Sequence, residues 1–205
     1  MTEHYFARKP AAPHRTIELR AEIRGREFRF YSDRGVFSAT RIDAGTRLLA
    51  EVMEVGPSGR VLDLGCGYGV LGIVAAALAP QGMAVLIDRN ARAAQLAHDN
   101  LALNGISNAY VVLGDGADAV VDGAFDLVLT NPPVHAGNAA VFAFIEGAHR
   151  ALRPGGRLLF VGRKSRGALS FARHAQGAFG NAVEVERKSG YRIYRAQRQE
   201  GSADY

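Results

Sequence analysis

A carboxylate closing an apolar run, followed by three glycines at alternate positions, constrains this chain more than any other feature. The stretch reads Val61-Leu62-Asp63-Leu64-Gly65-Cys66-Gly67-Tyr68-Gly69-Val70-Leu71-Gly72. The run before the glycines suits a buried strand, and the apolar pattern after them suits a helix. Glycines in between let the backbone turn sharply and approach a ligand without Cβ clashes. The helix N-terminus then offers free N–H groups to polar ligand atoms. This is the strand, tight loop and helix of an α/β nucleotide site. The dinucleotide fingerprint G-x-G-x-x-G fails at its third glycine position, where Val70 stands. That disfavours a nicotinamide oxidoreductase and leaves the pattern Asp-x-Gly-x-Gly-x-Gly.

Strand and helix patterns alternate strictly beyond the loop. Strands are expected at 60–64, 84–87, 109–113, 125–130 and 157–161. Helices are expected at 70–78, 91–103, 139–152 and 168–178, the third ending at Pro154-Gly155-Gly156. Segments 183–188 and 191–196 read as a closing antiparallel pair joined at Ser189-Gly190. Such alternation implies a parallel sheet covered by helices on both faces. Ligands then gather at the carboxyl ends of the strands, near the switch point. Ahead of this unit, Ile17, Leu19, Ala21 and Ile23, then Phe28 and Phe30, alternate around Gly25-Arg26, which predicts a hairpin. Asp43 is placed to cap a helix carrying Leu48, Leu49, Val52 and Met53. The expected division is an N-terminal extension with a β-hairpin packed on the core (1–40), a main domain (41–197) and a polar tail (198–205). Residues 197–205 are expected to fray.

Composition narrows the setting. A chain of 205 residues suits one domain with a substantial core. The formal charge of +5 favours an anionic partner such as RNA or DNA. Cys66 is the single cysteine, which excludes an intrachain disulfide or a cysteine metal cluster and fits a reducing cytoplasm. Residues 1–10 lack an apolar signal core, and the longest apolar run, 70–79, is too short to span a bilayer. The expectation is a cytoplasmic protein with no membrane partner. No His, Cys, Asp or Glu spacing suggests a metal site.

The Asp-x-Gly-x-Gly-x-Gly loop resembles the first motif of class I S-adenosylmethionine-dependent methyltransferases. The resemblance implies a Rossmann-like, seven-stranded class I methyltransferase sheet and S-adenosylmethionine as cofactor. It implies that Asp63 lies near the methionine end, with Gly65, Cys66, Gly67 and Gly69 against the ligand backbone. Asp88 closes the second strand 25 positions after Asp63, close to the spacing at which an acidic residue receives ribose hydroxyls. Its alternative is a helix-capping or surface carboxylate. Asn90 reads as the cap of the next helix. Asp115-Gly116 follows the third strand; the resemblance implies a loop over the adenine, with Asp115 accepting from its amine. The alternative is a simple Asp-Gly turn.

The second decisive stretch is Thr130-Asn131-Pro132-Pro133-Val134-His135. Prolines lack N–H donors and fix φ, so a strand running into Asn-Pro-Pro ends in a stiff loop. The side-chain oxygen of Asn131 and the carbonyl of Pro132 then form two acceptors for one exocyclic amine. They hold its hydrogens and aim the nitrogen lone pair at the methyl donor, so catalysis is mostly positioning. A Pro-rich turn ending a strand is the structural alternative.

Segments outside these motifs sharpen the reading. His4-Tyr5-Phe6, Gly35-Val36-Phe37-Ser38, Asp43-x-Gly45-Thr46-x-Leu48-Leu49 and Gly190-Tyr191-x-Ile193-Tyr194 accompany them. Together they resemble the methyltransferase small domain family, which includes ribosomal RNA guanine-N2 methyltransferases. The resemblance implies an RNA (guanine-N2) methyltransferase acting on ribosomal RNA or a ribosomal subunit, as a monomer or homodimer, and it places Asn131 among the cofactor-binding residues as well. Two departures stand out. Well-known members carry two tandem domains, and this chain has one. The position after Asn-Pro-Pro is commonly aromatic, and here it is Val134. Stacking on a target base then falls to Phe37, His135, Tyr191 or Tyr68, with Phe37 equally suited to core packing. Arg163, Lys164 and Arg166 follow the fifth parallel strand and read as phosphate contacts. Arg8-Lys9, His14-Arg15, Arg187-Lys188 and Arg192 extend the positive surface. The alternatives are adenine-N6 or protein glutamine methylation, and a non-catalytic S-adenosylmethionine-binding RNA module.

Overall fold

The structure, a computed structural model, describes residues 14–200. His4-Tyr5-Phe6 and Arg8-Lys9 lie outside the described residues. The centre of the molecule is a seven-stranded sheet in the order β5-β4-β3-β6-β7-β9-β8. Strands β3 (Arg60–Leu64), β4 (Met83–Asp88), β5 (Ala109–Leu113), β6 (Phe125–Thr130) and β7 (Leu152–Arg163) run parallel. Strands β8 (Val183–Lys188) and β9 (Tyr191–Gln197) close the sheet antiparallel. The chain leaves β3 toward β4 on one side and returns to β6 on the other. The switch point therefore lies between the carboxyl ends of β3 and β6, where such sheets bind ligands.

Alternation along each strand feeds two cores. Val61, Leu127, Leu129, Leu159 and Val161 pack toward α1 (Ala44–Val52), α2 (Val70–Leu78) and α3 (Ala91–Leu103). Leu62, Val128, Leu158 and Phe160 face α4 (Asn138–Ala151) and α5 (Ala168–Phe179). Period-two side chains in a doubly covered sheet produce this pattern. Thr130 sits at the end of β6, and its buried hydroxyl donates to the Leu64 carbonyl at 2.7 Å, tying the two strand ends together.

The N-terminal hairpin forms as β1 (Ile17–Ile23) and β2 (Arg26–Ser32), a separate two-stranded sheet. Its two-residue turn has positive φ at Arg24 and Gly25, the twist that suits a tight hairpin. Asn100 of α3 and Asn104, the C-cap that follows it, hold the hairpin to the core by imitating a neighbouring strand. The Asn100 carboxamide accepts from Tyr31 N–H and donates to the Tyr31 carbonyl, and it also donates to the Tyr68 carbonyl in the glycine loop. Asn104 pairs in the same way with the backbone of Arg29.

Two segments depart from the sequence expectations. Strand β7 begins at Leu152 rather than 157, because Leu152 pairs with Phe125 before Pro154-Gly155-Gly156 bulges out and Arg157 takes up Leu127. The chain at 197–198 is also ordered rather than frayed. Gln197 is the last residue of β9, and Arg198 exchanges backbone hydrogen bonds with Gly155 and Gly156. The Arg198 guanidinium donates to the carbonyls of His149, Arg150 and Leu152, capping the end of α4, whose last carbonyls lack helical partners.

Candidate active site

The loop after β3 is shaped by positive φ at Gly65, Gly67 and Gly69, of +72°, +58° and +97°, which side chains other than glycine rarely adopt. At Gly65 a Cβ would also sit 2.9 Å from the Phe144 ring. The N–H groups of Gly65 and Cys66 both donate to the Ile87 carbonyl at 2.9 Å, fastening the loop to the end of β4. Gly67 N–H donates to Asp88 Oδ2 and Asn90 N–H to Asp88 Oδ1, each at 2.8 Å. Asn90 caps α3 with its side chain, as its sequence position suggests.

Asp63 is 1% exposed. Its Oδ2 accepts from Gly72 N–H at 2.8 Å, and its Oδ1 is buried with no hydrogen-bond partner. Burial pushes this carboxyl up to about 7 against the Gly72 N–H, and the Asp88 charge adds to the rise. Burial also raises Asp88, opposed by the N–H groups of Asn90 and Gly67. The Cys66 thiol is pushed well up by burial and by Asp88 and Asp63, so it stays protonated.

These groups line one cavity of 460 Å³, a size that suits a cofactor. Asp63, Gly65, Cys66, Gly67, Asp88, Asp115 and Gly116 are on its wall, together with Phe37, Tyr68, Asn131, Pro132, Pro133 and Val134. The structure thus brings both decisive sequence motifs to a single space. Gly69 stands behind the wall as the N-cap of α2, against Ile73, Ala97 and Leu86. Asp115 is on the rim, 3.5 Å from Arg89 Nη1. His135 is exposed in a short 3-10 turn, Val134–Ala136, and does not line the cavity. Arg163 and Lys164 lie apart from it, beside Ser189 and Gly190, where Lys164 N–H donates to the Gly190 carbonyl at 3.0 Å. Arg166 ends a second 3-10 turn, Lys164–Arg166.

The Asn-Pro-Pro loop is stiffer than its prolines alone require. Pro133 has φ −76° and ψ 70°, an inverse γ-turn in which Val134 N–H donates to the Pro132 carbonyl at 2.8 Å. One lone pair of that carbonyl remains for a ligand. Asn131 Nδ2 donates to Asp43 Oδ2 at 3.1 Å and to Thr46 Oγ1 at 2.8 Å. Asp43 Oδ2 also caps α1, accepting from Gly45 and Thr46 N–H. Asp43 Oδ1 accepts from the Tyr191 hydroxyl at 3.0 Å.

Sequence reasoning finds Asp43 only as a helix cap and Tyr191 only as a stacking candidate; it does not find Thr46 or Phe144 at the site. The Asp43-x-Gly45-Thr46 and Gly190-Tyr191 segments carry the signal, but their convergence on Asn131 depends on contacts 85 to 148 residues apart. Among the described residues, no group of three or more His, Cys, Asp or Glu is placed to hold a metal ion. None of their helices is long and apolar enough to cross a membrane.

Known proteins resemble this chain in sequence and in fold. The family described as Methyltransferase small domain matches residues 27–195. Uncharacterized protein YbxB of Bacillus subtilis (strain 168) is 36% identical over 201 residues, covering 97% of this chain and 100% of that protein. Ribosomal RNA small subunit methyltransferase C of Pseudomonas entomophila (strain L48) is 42% identical over 173 residues, covering 80% of this chain and 49% of that protein. Among solved structures, the T. thermophilus 16S rRNA N2 G methyltransferase RsmC, in complex with AdoMet and guanosine, superposes with a TM-score of 0.80 at 29% identity. That superposition covers 93% of this chain and 52% of RsmC. The chain spans about half the length of these ribosomal RNA methyltransferases. A family match over 27–195, on a class I methyltransferase fold with its glycine loop and Asn-Pro-Pro loop facing one cavity, establishes that this chain belongs to the methyltransferase small domain family.

Proposed function

We propose that this chain transfers a methyl group from S-adenosylmethionine to an exocyclic amino nitrogen of RNA, with guanine N2 of ribosomal RNA as the target. The observation that carries the reading is that a cavity suited to a cationic cofactor is also lined by the two acceptors an amine requires. Asp43, Asp63, Asp88, Asp115 and Asp118 border it against Arg89 and Arg150, so a basic chain keeps a pocket with an excess of carboxylates. Asp63 Oδ1 is the atom a cofactor ammonium would satisfy, since a buried acceptor without a partner is costly. Each Asp88 oxygen holds one backbone N–H and keeps capacity for a ribose hydroxyl. Asp115, with Gly116 beside it, is assigned to the adenine amine, in exchange for its exposed pairing with Arg89. The glycine loop of Gly65, Cys66, Gly67 and Gly69 shapes the floor.

When bound, S-adenosylmethionine supplies an electrophilic methyl on a sulfonium sulfur. Asn131 Oδ1 and the Pro132 carbonyl accept the two hydrogens of the substrate amine and direct its lone pair. Pro133 fixes the Pro132 carbonyl through its turn. The amine proton is lost once nitrogen carries the new methyl, so no strong base is needed before transfer. Phe37 and Val134 are assigned to contact with the target base, and His135 to the substrate beside them. Arg163, Lys164 and Arg166 are assigned to phosphates, which position RNA without reading its sequence. The N2 G specificity of RsmC supports the guanine assignment.

Asn131→Ala tests the reading. Cofactor affinity should stay near wild type, while methyl transfer to ribosomal RNA falls by about 10²-fold or more, the scale of a misplaced reactant. Transfer at the wild-type rate would remove the mechanism.

A further inference from the structure

We infer that Thr46, Asp43 and Tyr191 form a clamp that sets which atom of Asn131 faces the substrate, making them positioning residues for the transfer step. The inference rests on the role proposed for Asn131. An asparagine carboxamide has a donor end and an acceptor end, and only the acceptor end can receive an amine hydrogen. Asp43 is a carboxylate and accepts only, so the end of Asn131 toward it must be the NH2 group. That NH2 is shared between Asp43 Oδ2 at 3.1 Å and Thr46 Oγ1 at 2.8 Å. Both of its hydrogens are then used, and Oδ1 is the end left for the substrate. A free carboxamide would turn over at little cost and present a donor, which repels an amine.

Asp43 is itself held from two sides. Gly45 and Thr46 N–H anchor Oδ2 at the first turn of α1, and the Tyr191 hydroxyl anchors Oδ1 at 3.0 Å. The Tyr191 ring reaches Asp43 by lying against Gly45, where a Cβ would be only 2.6 Å from the ring. The Arg163 guanidinium lies over the same ring, 5.5 Å from its centre. Tyr191 therefore joins the loop assigned to RNA phosphates to the residue assigned to the amine. Strands and helices far apart in sequence converge here: α1, the end of β6 and the start of β9.

The test is a comparison of Thr46→Val, Thr46→Ser and Tyr191→Phe with Asn131→Ala. Methyl transfer is measured on ribosomal RNA from cells lacking this protein, and cofactor Kd and melting temperature are measured on the same samples. Valine keeps the shape of Thr46 and loses the acceptor; serine keeps the acceptor and loses the methyl. The clamp predicts a kcat about five- to tenfold lower for Thr46→Val, the effect of one positioning hydrogen bond, with Thr46→Ser near wild type. Tyr191→Phe lowers kcat in the same direction, and cofactor Kd stays unchanged in all three. A packing role gives the opposite order, with serine worse than valine and a loss in melting temperature that tracks the loss in rate; that order overturns the clamp. An inactive Asn131→Ala beside a fully active Thr46→Val overturns the clamp alone. A fully active Asn131→Ala overturns the parent reading and the clamp with it.

Discussion

Asp63 is the residue where burial and charge conflict most directly. Its carboxyl titrates near 7 in the folded chain against 3.8 as its ordinary value. Between those values the folded state holds more protons than the unfolded state, so stability falls as pH rises. The cofactor-free protein should therefore lose stability from this group between about pH 4 and 7, by up to about 4 kcal/mol, with no further change above that window. Urea unfolding of wild type and Asp63→Asn across that range isolates the effect as a difference between the two curves; parallel curves would contradict it. A cationic group at Oδ1 favours the ionised form, so cofactor binding should release a proton below pH 7. The sequence makes Asp63 legible as the end of a strand before a glycine loop. It does not reveal that one oxygen is consumed by Gly72 N–H and the other left open, because that division depends on how α2 seats against β3. Asn131 is likewise legible from its prolines, whereas the orientation of its carboxamide is set by α1 and β9.

At the scale of elements, the hairpin depends on side chains that act as backbone. Asn100 is fully buried and satisfies both polar groups of Tyr31 as well as the Tyr68 carbonyl. Asn100→Ala strands several of these at once and should cost about 3 kcal/mol, each orphaned group contributing at the usual scale of a lost buried partner. Denaturant unfolding reads this directly, and a change under about 1 kcal/mol would mean the hairpin docks through its apolar face alone. The regular elements were legible to within a residue or two, since β3, α2, α3, β5 and β6 each carry a clean period bounded by turn residues. The early start of β7 and the role of Arg198 were not. Both arise from partners distant in sequence, Phe125 for Leu152 and the end of α4 for the guanidinium, so no local pattern announces them.

For the whole molecule, the central contrast is an acidic cavity inside a chain of net charge +5. The first suits a cationic cofactor and the second an anionic macromolecule, the pairing that the proposed RNA methylation requires. The chain spans about half the length of its ribosomal RNA methyltransferase relatives and the full length of YbxB. With Val134 after Asn-Pro-Pro, two of the aromatic candidates for contact with a base, Phe37 and Tyr68, are on the cavity wall. The most direct measurement is methyl transfer from labelled S-adenosylmethionine to ribosomal RNA, naked and in subunits, from cells lacking this protein, followed by digestion to nucleosides. Label is expected in N2-methylguanosine. Label in N6-methyladenosine would keep the amine site and contradict the guanine assignment, and no incorporation by a protein that binds the cofactor would contradict RNA methylation itself.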